Sequence, residues 1–511
     1  MVNGRSPAPG WRRFALLALG TAGHLFAVGG RWDIAAAAWI FPVLLLRFTR
    51  LTRPWSGALW IWATQTAAAV CWLFESAMGF SPVTLGGAVA LAALLTLPFL
   101  LDRLLVGRLR PWAAMLLFPS AVAGAEFLIT LLSPFGTAYG ALAATQYGAL
   151  PLLQIVSVTG CYGIGFLIGW CAGAANRLWE TGSWRAARAG VTTCAAALLA
   201  VVLGGGARLA LFPPDAPTVR IAGVTADAAT IRAQKAALAR IPGGRRASAA
   251  SPAALRPALT AVRDSLLAAT AREAKAGAKV VVWPEEAVKT LAADERATLA
   301  AARHQARRSG IYLEIGVEVY DTTGPGRDEA LLIDPSGTVR WTYQKAHPIP
   351  GSEPFAPGDG KVPVVGTPYG RLANVICYDA DFPALMRVPA DILLVPSHDW
   401  QEYGRAHTQK AALRAIEGGY AVVRQDSEGL SAAFDAQGRP LASADYFTSG
   451  RQTMVAAVPV RGTATVYDRI GDAFAWLCLA AVGACTVAGA APRARRRAGR
   501  RPAPAPHDGP A

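Results

Sequence analysis

The sequence predicts an α-helical membrane domain with several spans, joined to an α/β domain. Of the 511 residues, 53% are hydrophobic, a share too high for an ordinary soluble protein. The apolar residues gather in long segments within the first 211 residues and once more near the C-terminus. Between these regions, short apolar runs alternate with helical and turn stretches, as in a mixed sheet layered with helices.

Eight apolar segments have about the 20 residues that a helix needs to cross a bilayer, or nearly so. They lie at 12–30, 34–49, 57–79, 82–102, 112–132, 152–176, 189–211 and 472–491. We therefore predict a membrane domain at 1–211 with seven transmembrane helices, and an eighth helix at 472–491. A cleavable signal peptide is the alternative for the first segment, but the spans that follow it directly argue against that alternative.

Arginine marks the loops at every second crossing. Three arginines follow each of the second, fourth and sixth segments, whereas the loops after the third and fifth carry neither lysine nor arginine. The positive-inside rule then puts both termini in the cytoplasm and the polar segment 217–465 on the extracytoplasmic side. Residues 492–511 are basic and are predicted to form a disordered cytoplasmic tail. Because these arginines account for much of the net charge of +16, we expect no nucleic-acid partner.

One cysteine is the candidate nucleophile. Of the seven cysteines, only Cys377 lies outside a predicted span, and it follows an apolar run that predicts a strand at 372–378. Glu285 and Lys345 each follow a similar run. A thiol needs a base and a nearby cation before it becomes a good nucleophile. The three residues therefore form a candidate site, although each alone is more often a turn, surface or core residue.

Three motifs resemble the nitrilase superfamily of carbon–nitrogen hydrolases. They are Trp-Pro-Glu-Glu-Ala (283–287), Tyr-Gln-Lys-Ala-His-Pro-Ile-Pro-Gly-Ser-Glu (343–353) and Ile-Cys-Tyr-Asp (376–379). Together with the membrane half, they resemble the apolipoprotein N-acyltransferase family, somewhat divergently, over almost the whole chain. Glu126, Gln146, Gln154 and Gly160-Cys-Tyr-Gly163 follow that family's pattern more weakly. The resemblance implies a nitrilase-like α-β-β-α sandwich inserted between the last two transmembrane helices.

The resemblance also implies roles for the site residues. Cys377 would be the nucleophile, Glu285 the general base, and Lys345 the group that stabilises the thiolate and the oxyanion. Glu353 would support them. The implied reaction moves a fatty acyl group from a phospholipid, through a thioester on Cys377, to the N-terminal amine of S-diacylglyceryl-cysteine in an apolipoprotein.

The same resemblance implies the surroundings of this reaction. The implied location is the bacterial plasma (inner) membrane, with several spans. The implied partners are a phospholipid donor, a diacylated prolipoprotein acceptor and the bilayer, and a monomer is sufficient. No cofactor is expected, and no spacing of histidine, cysteine and aspartate suggests a metal site.

Two loops, 397–404 and 426–429, depart from the family's pattern and leave the acyl acceptor open. A membrane-tethered carbon–nitrogen hydrolase (an amidase) with the same three residues is the alternative, in which water accepts the acyl group. An inactive scaffold with a nitrilase fold is a third interpretation. Glu126, a charge within a predicted span, is read equally well as functional or as packing.

Other side chains carry weaker expectations. Trp400, Tyr403 and Phe355 are expected to be exposed apolar loop residues that guide lipid. His347 is expected to be structural. His398 and His407 are expected to be polar loop residues.

Overall fold

The computed structural model describes residues 10–241, 244–448 and 453–491, which form sixteen α-helices and thirteen β-strands. The helices are α1 (Gly10–Leu25), α2 (Ala35–Arg50), α3 (Pro54–Glu75), α4 (Pro82–Leu105), α5 (Pro111–Leu132), α6 (Leu150–Leu153), α7 (Val156–Thr159), α8 (Tyr162–Thr181), α9 (Trp184–Leu211), α10 (Ala228–Ala239), α11 (Gly244–Ala249), α12 (Pro252–Lys275), α13 (Glu295–Ser309), α14 (Gly404–Gly418), α15 (Val466–Ile470) and α16 (Ala473–Ala490). The strands are β1 (Thr218–Val224), β2 (Val280–Val282), β3 (Val288–Leu291), β4 (Tyr312–Tyr320), β5 (Arg327–Ile333), β6 (Val339–Gln344), β7 (Val364–Thr367), β8 (Gly370–Asn374), β9 (Ile392–Ser397), β10 (Ala421–Asp426), β11 (Leu430–Phe434), β12 (Pro440–Asp445) and β13 (Thr453–Pro459). The predicted tail at 492–511 lies outside the described residues.

Five helices among the described residues are long and apolar enough to cross a membrane: α3, α4, α5, α9 and α16. The sixth predicted span is a broken one, in which α6 and α7 meet α8 at an angle of 114°. Helices α1 and α2 have 16 residues each, fewer than the roughly 20 that span a bilayer without tilt or thinning. The structure therefore supports a membrane protein, and the count of eight spans stays a prediction.

The break before α8 has a local cause. Gly160 adopts a left-handed φ of 65°, and a Cβ there would lie 2.7 Å from the Tyr467 ring. The next backbone N–H, that of Cys161, donates a hydrogen bond of 2.8 Å to the Glu417 carboxylate. The bend is thus stabilised by a residue of the α/β half, because an unpaired buried amide would be costly.

Two sheets form the α/β half. The first has the order β13-β1-β2-β4-β5-β6, with β3 also paired to β4, and the second has the order β12-β11-β10-β9-β8-β7. Central pairs such as β1–β2, β2–β4, β8–β9 and β9–β10 are parallel, and the outer pairs are antiparallel. The sequence missed β3, β6, β7 and β12, which are short or largely polar.

The two sheets pack face to face and are covered by helices. Val280 and Leu332 of the first sheet share one apolar core with Leu394 and Val423 of the second. Helices α12 and α13 cover the outer face of the first sheet, and α14 covers the outer face of the second. This four-layer α-β-β-α arrangement is the fold that the sequence predicted.

Helix α14 also joins the two halves. Its Ala411 and Ala415 pack on the second sheet, whereas Leu413 and Ile416 belong to the core of the membrane helices. Nearly all of its residues are therefore buried. The helix that supports the second sheet is at the same time part of the membrane half.

A substitution at Gly316 in β4 tests how closely the chain packs behind β2. An alanine Cβ there would lie 1.9 Å from the Pro284 carbonyl oxygen, so the backbone must move. We expect Gly316→Ala to lower the free energy of unfolding by about 2 kcal/mol or more, measured by denaturant or thermal unfolding. Gly366→Ala in β7, where a Cβ has open space, is the control and should change stability little. Equal stabilities for the two variants would contradict this account.

Candidate active site

Cys377 lies in a tight turn after β8. The predicted strand at 372–378 is too long, because β8 ends at Asn374 and a 3-10 turn begins at Cys377. Cys377 has a φ of 45°, in the left-handed region that residues other than glycine rarely adopt. Such a conformation costs about 1–3 kcal/mol and is often found at functional sites. The thiol is buried.

Asp379 holds this turn against the segment that carries Lys345. Its carboxylate accepts hydrogen bonds from the Tyr343 hydroxyl at 2.8 Å, the His347 backbone N–H at 2.7 Å and the Ile376 backbone N–H at 3.2 Å. The His347 ring stacks on Phe382 at 3.6 Å, which is a structural contact. The sequence motif contained Asp379, but its spacing alone could not show these partners.

Lys345 is fully buried among carboxylates. Its Nζ lies 2.6 Å from Glu285 Oε1, 2.7 Å from the Glu353 carboxylate and 3.8 Å from Asp328 Oδ2. Burial alone would lower the pKa of Lys345, but Glu285 and Glu353 outweigh burial and raise it well above the ordinary value. Lys345 therefore remains a cation and is suited to stabilising negative charge rather than to accepting a proton.

The two oxygens of Glu285 have different partners. Oε1 faces Lys345, and Oε2 accepts a hydrogen bond of 2.7 Å from the His398 backbone N–H. Glu353 is fixed in a similar way, because its carboxylate also accepts the Ile349 backbone N–H at 2.9 Å. The structure thus brings together the predicted residues Glu285, Lys345 and Glu353 beside the Cys377 turn.

The Cys377 sulfur has two polar neighbours at the edge of hydrogen-bond range. The His398 carbonyl oxygen and the Arg424 Nη2 each lie 3.8 Å from Sγ. Burial raises the pKa of the Cys377 thiol, Glu285 and Asp399 raise it further, and Lys345 acts in the opposite direction. Because the net shift is upward, the resting thiol is neutral, and nucleophilic attack would need a base to remove its proton.

Sequence reasoning missed a second buried cluster on the other side of Cys377. Arg424 Nη2 lies 2.8 Å from Asp399 Oδ2 and 2.9 Å from His407 Nδ1. His407 also bonds Asp399 at 2.7 Å and Asp381 at 2.9 Å. His407 is therefore a buried residue of α14, and its assignment to a polar loop is wrong. The residues of this cluster are far apart in sequence, so no local signal connects them.

Cys377, Asp399 and His407 have possible ligand atoms within 4.8 Å of one another, as a metal site would need. The Arg424 guanidinium, however, lies within hydrogen-bond distance of two of these groups and supplies the positive charge there. A metal cation would be repelled by it at this distance. These residues therefore do not fit a metal ion.

The two divergent loops meet beside Glu285. The imidazole of His398 lies 3.3 Å from Glu286 and 3.6 Å from Glu428. Burial alone would lower the pKa of His398, but hydrogen bonds with Glu286 and Glu428 outweigh it and raise the pKa to about 10. His398 is thus a polar loop residue, as expected, and it is also paired with two carboxylates.

The weaker expectations in the membrane half have mixed outcomes. Gln146 accepts a hydrogen bond of 3.0 Å from the Trp39 indole, and Gln154 donates one of 3.1 Å to the Gln437 carbonyl. Both contacts join packed segments. One oxygen of the buried Glu126 accepts the Leu142 backbone N–H at 3.1 Å, and the other has no hydrogen-bond partner among the described residues.

The proposed lipid-guiding aromatic residues are mostly buried. Tyr403 and Phe355 are 4% and 6% exposed, so their assignment to exposed loops is wrong. Tyr403 stacks on Trp400 at 5.4 Å and meets Trp72 of α3 edge-on at 5.9 Å. Side chains of α3 and α4 cover Tyr403 and Trp400, and a sequence alone does not show such contacts between distant segments.

Two small apolar cavities lie where the membrane helices meet the site. The first, about 20 Å³, lies between α3 and α4 and is lined by Trp72, Met78 and Phe135 among others. The second, about 10 Å³, shares these three residues and reaches Tyr378 and His407. Each has room for no more than about one water molecule, so the cavities mark an apolar contact between α3, α4 and the Cys377 turn and are too small to hold a lipid chain.

Comparison with known proteins agrees with both halves. A family model for carbon–nitrogen hydrolases matches residues 237–467, and a model for the apolipoprotein N-acyltransferase N-terminal domain matches residues 21–174. The chain thus combines a carbon–nitrogen hydrolase domain with a domain that matches the N-terminal domain of apolipoprotein N-acyltransferases.

Individual relatives point the same way. An apolipoprotein N-acyltransferase of Geobacter metallireducens is 25% identical over 71% of this chain and 71% of its own length. That of Bradyrhizobium diazoefficiens is 26% identical over 63% of this chain and 64% of its own. A formamidase of Allorhizobium ampelinum is 31% identical, but over 24% of this chain and 39% of its own. The chain belongs to the apolipoprotein N-acyltransferases, a family of acyltransferases.

Among solved structures, an amidase from Nesterenkonia sp. is 22% identical. It covers 48% of this chain and 92% of its own chain, with a TM-score of 0.38.

The ion pairs of His398 predict a pH-dependent contribution to stability. A histidine whose pKa rises from about 6.5 on folding stabilises the folded state fully below that pH. The contribution declines as the pH rises and is lost near pH 10. We expect the difference in unfolding temperature between the wild type and His398→Gln to be large at pH 6 and to vanish near pH 10. The exposed His304, replaced by Gln, is the control and should show no such trend. A constant difference for His398→Gln would contradict the ion pairs.

Proposed function

We propose that this protein transfers a fatty acyl group from a phospholipid to the N-terminal amine of S-diacylglyceryl-cysteine in apolipoproteins, through a thioester on Cys377. The observation that carries the proposal is the buried Glu285–Lys345 pair beside the Cys377 thiol, in a turn whose Tyr378 packs against apolar side chains of α3 and α4. The family to which the chain belongs supports the same reaction.

In the first step, Glu285 takes the thiol proton while the Cys377 sulfur attacks the ester carbonyl carbon of the phospholipid. Negative charge develops on the carbonyl oxygen, where the permanently charged Lys345 stabilises it. The tetrahedral intermediate then expels the alkoxide of the lysophospholipid, which receives the proton from Glu285. A thioester on Cys377 remains for the second step, with Glu285 again ionised and Lys345 still charged.

In the second step, the neutral α-amine of the acceptor attacks the thioester carbonyl. Glu285 takes a proton from the amine, and Lys345 again stabilises the oxyanion. Collapse of the intermediate forms the amide and releases the Cys377 sulfur, which takes the proton back from Glu285. Glu353 shares the charge of Lys345 throughout and fixes its position.

The proposed arrangement in the membrane follows from the same contacts. We propose that residues 1–211 and 472–491 cross a bacterial inner membrane and that residues 217–465 lie on the extracytoplasmic side, with both termini in the cytoplasm. The Cys377 turn then lies at the outer membrane surface, where its Tyr378 packs against α3 and α4 and both lipid substrates would approach from the bilayer.

Hydrolysis by the same three residues is the alternative. Cys377 and Lys345 are buried, and the neighbouring Tyr378 lies among apolar side chains of the membrane helices, so water would have poor access to a thioester. This favours transfer to an amine that enters with its own lipid. The contact between Glu285 and Lys345 also argues against an inactive scaffold.

A lipopeptide assay tests the proposal. The purified protein in phospholipid vesicles should add a fatty acyl mass to the α-amine of a diacylated lipopeptide, detected by mass spectrometry. Cys377→Ala and Glu285→Gln should each lower the rate by about a thousandfold or more, because they remove the nucleophile and its base. Cys485→Ala, which changes a cysteine in α16, is the control and should retain the wild-type rate.

Two results would reject the proposal. Free fatty acid that depends on Cys377, with no acylated peptide, would establish the hydrolase. Acylation that persists in Cys377→Ala would rule out the thioester.

A further inference from the structure

The backbone of His398 contacts the site through both its N–H and its carbonyl group. His398 follows β9, and its backbone N–H donates 2.7 Å to Glu285 Oε2. Its carbonyl oxygen lies 3.8 Å from the Cys377 sulfur. The orientation of this one residue therefore affects both the base and the nucleophile of the proposed reaction.

The side chain of His398 ties this peptide to two other turns. One ring nitrogen faces Glu286, in the turn after β2, and the other faces Glu428, in the turn between β10 and β11. Two carboxylates, one at each nitrogen, favour the doubly protonated imidazolium. With both nitrogens engaged, the ring is not available as a proton acceptor for a substrate.

The neighbouring charges complete the arrangement. Lys289 lies 2.8 Å from Glu286 and also pairs with Glu318, and Lys235 of α10 pairs with Glu428. Positive and negative side chains thus alternate from Lys289 through Glu286, His398 and Glu428 to Lys235. Glu286 itself has a left-handed φ of 51°, so this contact holds a strained residue next to Glu285.

We propose that the His398 imidazolium is a positioning residue for the base, holding the 397–399 peptide so that its N–H orients Glu285 toward the Cys377 thiol. The inference rests on the proposed function of Glu285. Any residue other than proline at this position would supply the N–H group. The charged ring, however, fixes where the N–H points, because it links the turn to Glu286 and Glu428.

Charge-removing and charge-keeping variants test this role. His398→Phe keeps a ring but loses the charge, and we expect kcat for acyl transfer to fall about tenfold with little change in KM. His398→Lys keeps a cation near both carboxylates and should restore most of the rate. The control His304→Phe, on the exposed side of α13, should behave as the wild type.

The reactivity of the thiol provides a second measurement that needs no turnover. Iodoacetamide alkylation of Cys377, followed by peptide mass spectrometry in vesicles, should slow about as much as kcat in His398→Phe and recover in His398→Lys. Glu428→Gln keeps the size of the side chain and should lower both kcat and the alkylation rate, so it is the variant to use if His398→Phe does not fold. The double variant of Glu428→Gln and His398→Phe should be little slower than His398→Phe alone, because the two residues act through one contact.

Several outcomes would overturn the proposal. Wild-type kcat and alkylation in His398→Phe would show that the ring does not position Glu285. Failure of His398→Lys to restore either quantity would show that charge is not what matters. A lower kcat with unchanged alkylation would place His398 in acceptor binding instead. Acyl transfer that persists in Cys377→Ala would instead contradict the proposed function. That outcome is distinguishable from all the results above.

Discussion

The buried ammonium group of Lys345 is the constraint on which the site depends. An unpaired charge in a protein interior costs several kcal/mol, so the fold must bring carboxylates to it. Glu285 lies in the turn after β2, Asp328 lies in β5, and Glu353 lies in the loop after β6. Because three separate segments converge on one nitrogen, the position of Glu285 relative to Lys345 is fixed before any substrate binds. Such preorganisation is what stabilisation of a developing oxyanion requires.

A second buried cation, Arg424, stands on the other side of Cys377. It is compensated by Asp399, so the pair adds little net charge at the sulfur. Lys345 is likewise compensated by its carboxylates. The thiol therefore lies between two neutralised groups and is kept neutral by burial. This arrangement suits the proposed nucleophile, which Glu285 would activate by taking its proton, and a neutral thiol is less prone to oxidation than a permanent thiolate.

Much of the fold could be predicted because its signals are local. Apolar segments predicted the five helices among the described residues that are long and apolar enough to cross a membrane, and short β-branched runs predicted β1, β2, β4 and β9. The order of the three motifs singled out Glu285, Lys345 and Cys377, whose catalytic roles stay a proposal. The failures have a common physical origin: they depend on contacts between distant segments. Phe355 and Tyr403 are buried by neighbours that no sequence window contains, and His398 is charged because two other turns supply carboxylates. The turn at Cys377 differs from the predicted strand because Asp379 pulls the chain toward Tyr343.

The membrane half does more than hold the α/β half at the bilayer. The Tyr378 hydroxyl donates to the Pro134 carbonyl at 3.0 Å, and the Thr137 backbone N–H donates to the Asp381 carbonyl at 2.8 Å. Both bonds end on the turn that begins at Cys377. Asp381 in turn pairs with His407, which contacts Arg424. The loop after α5 therefore completes the support of the Cys377 turn. Without the membrane half, Tyr378 and Asp381 would lose these hydrogen-bond partners. The Cys377 turn would then lose the support of the loop after α5.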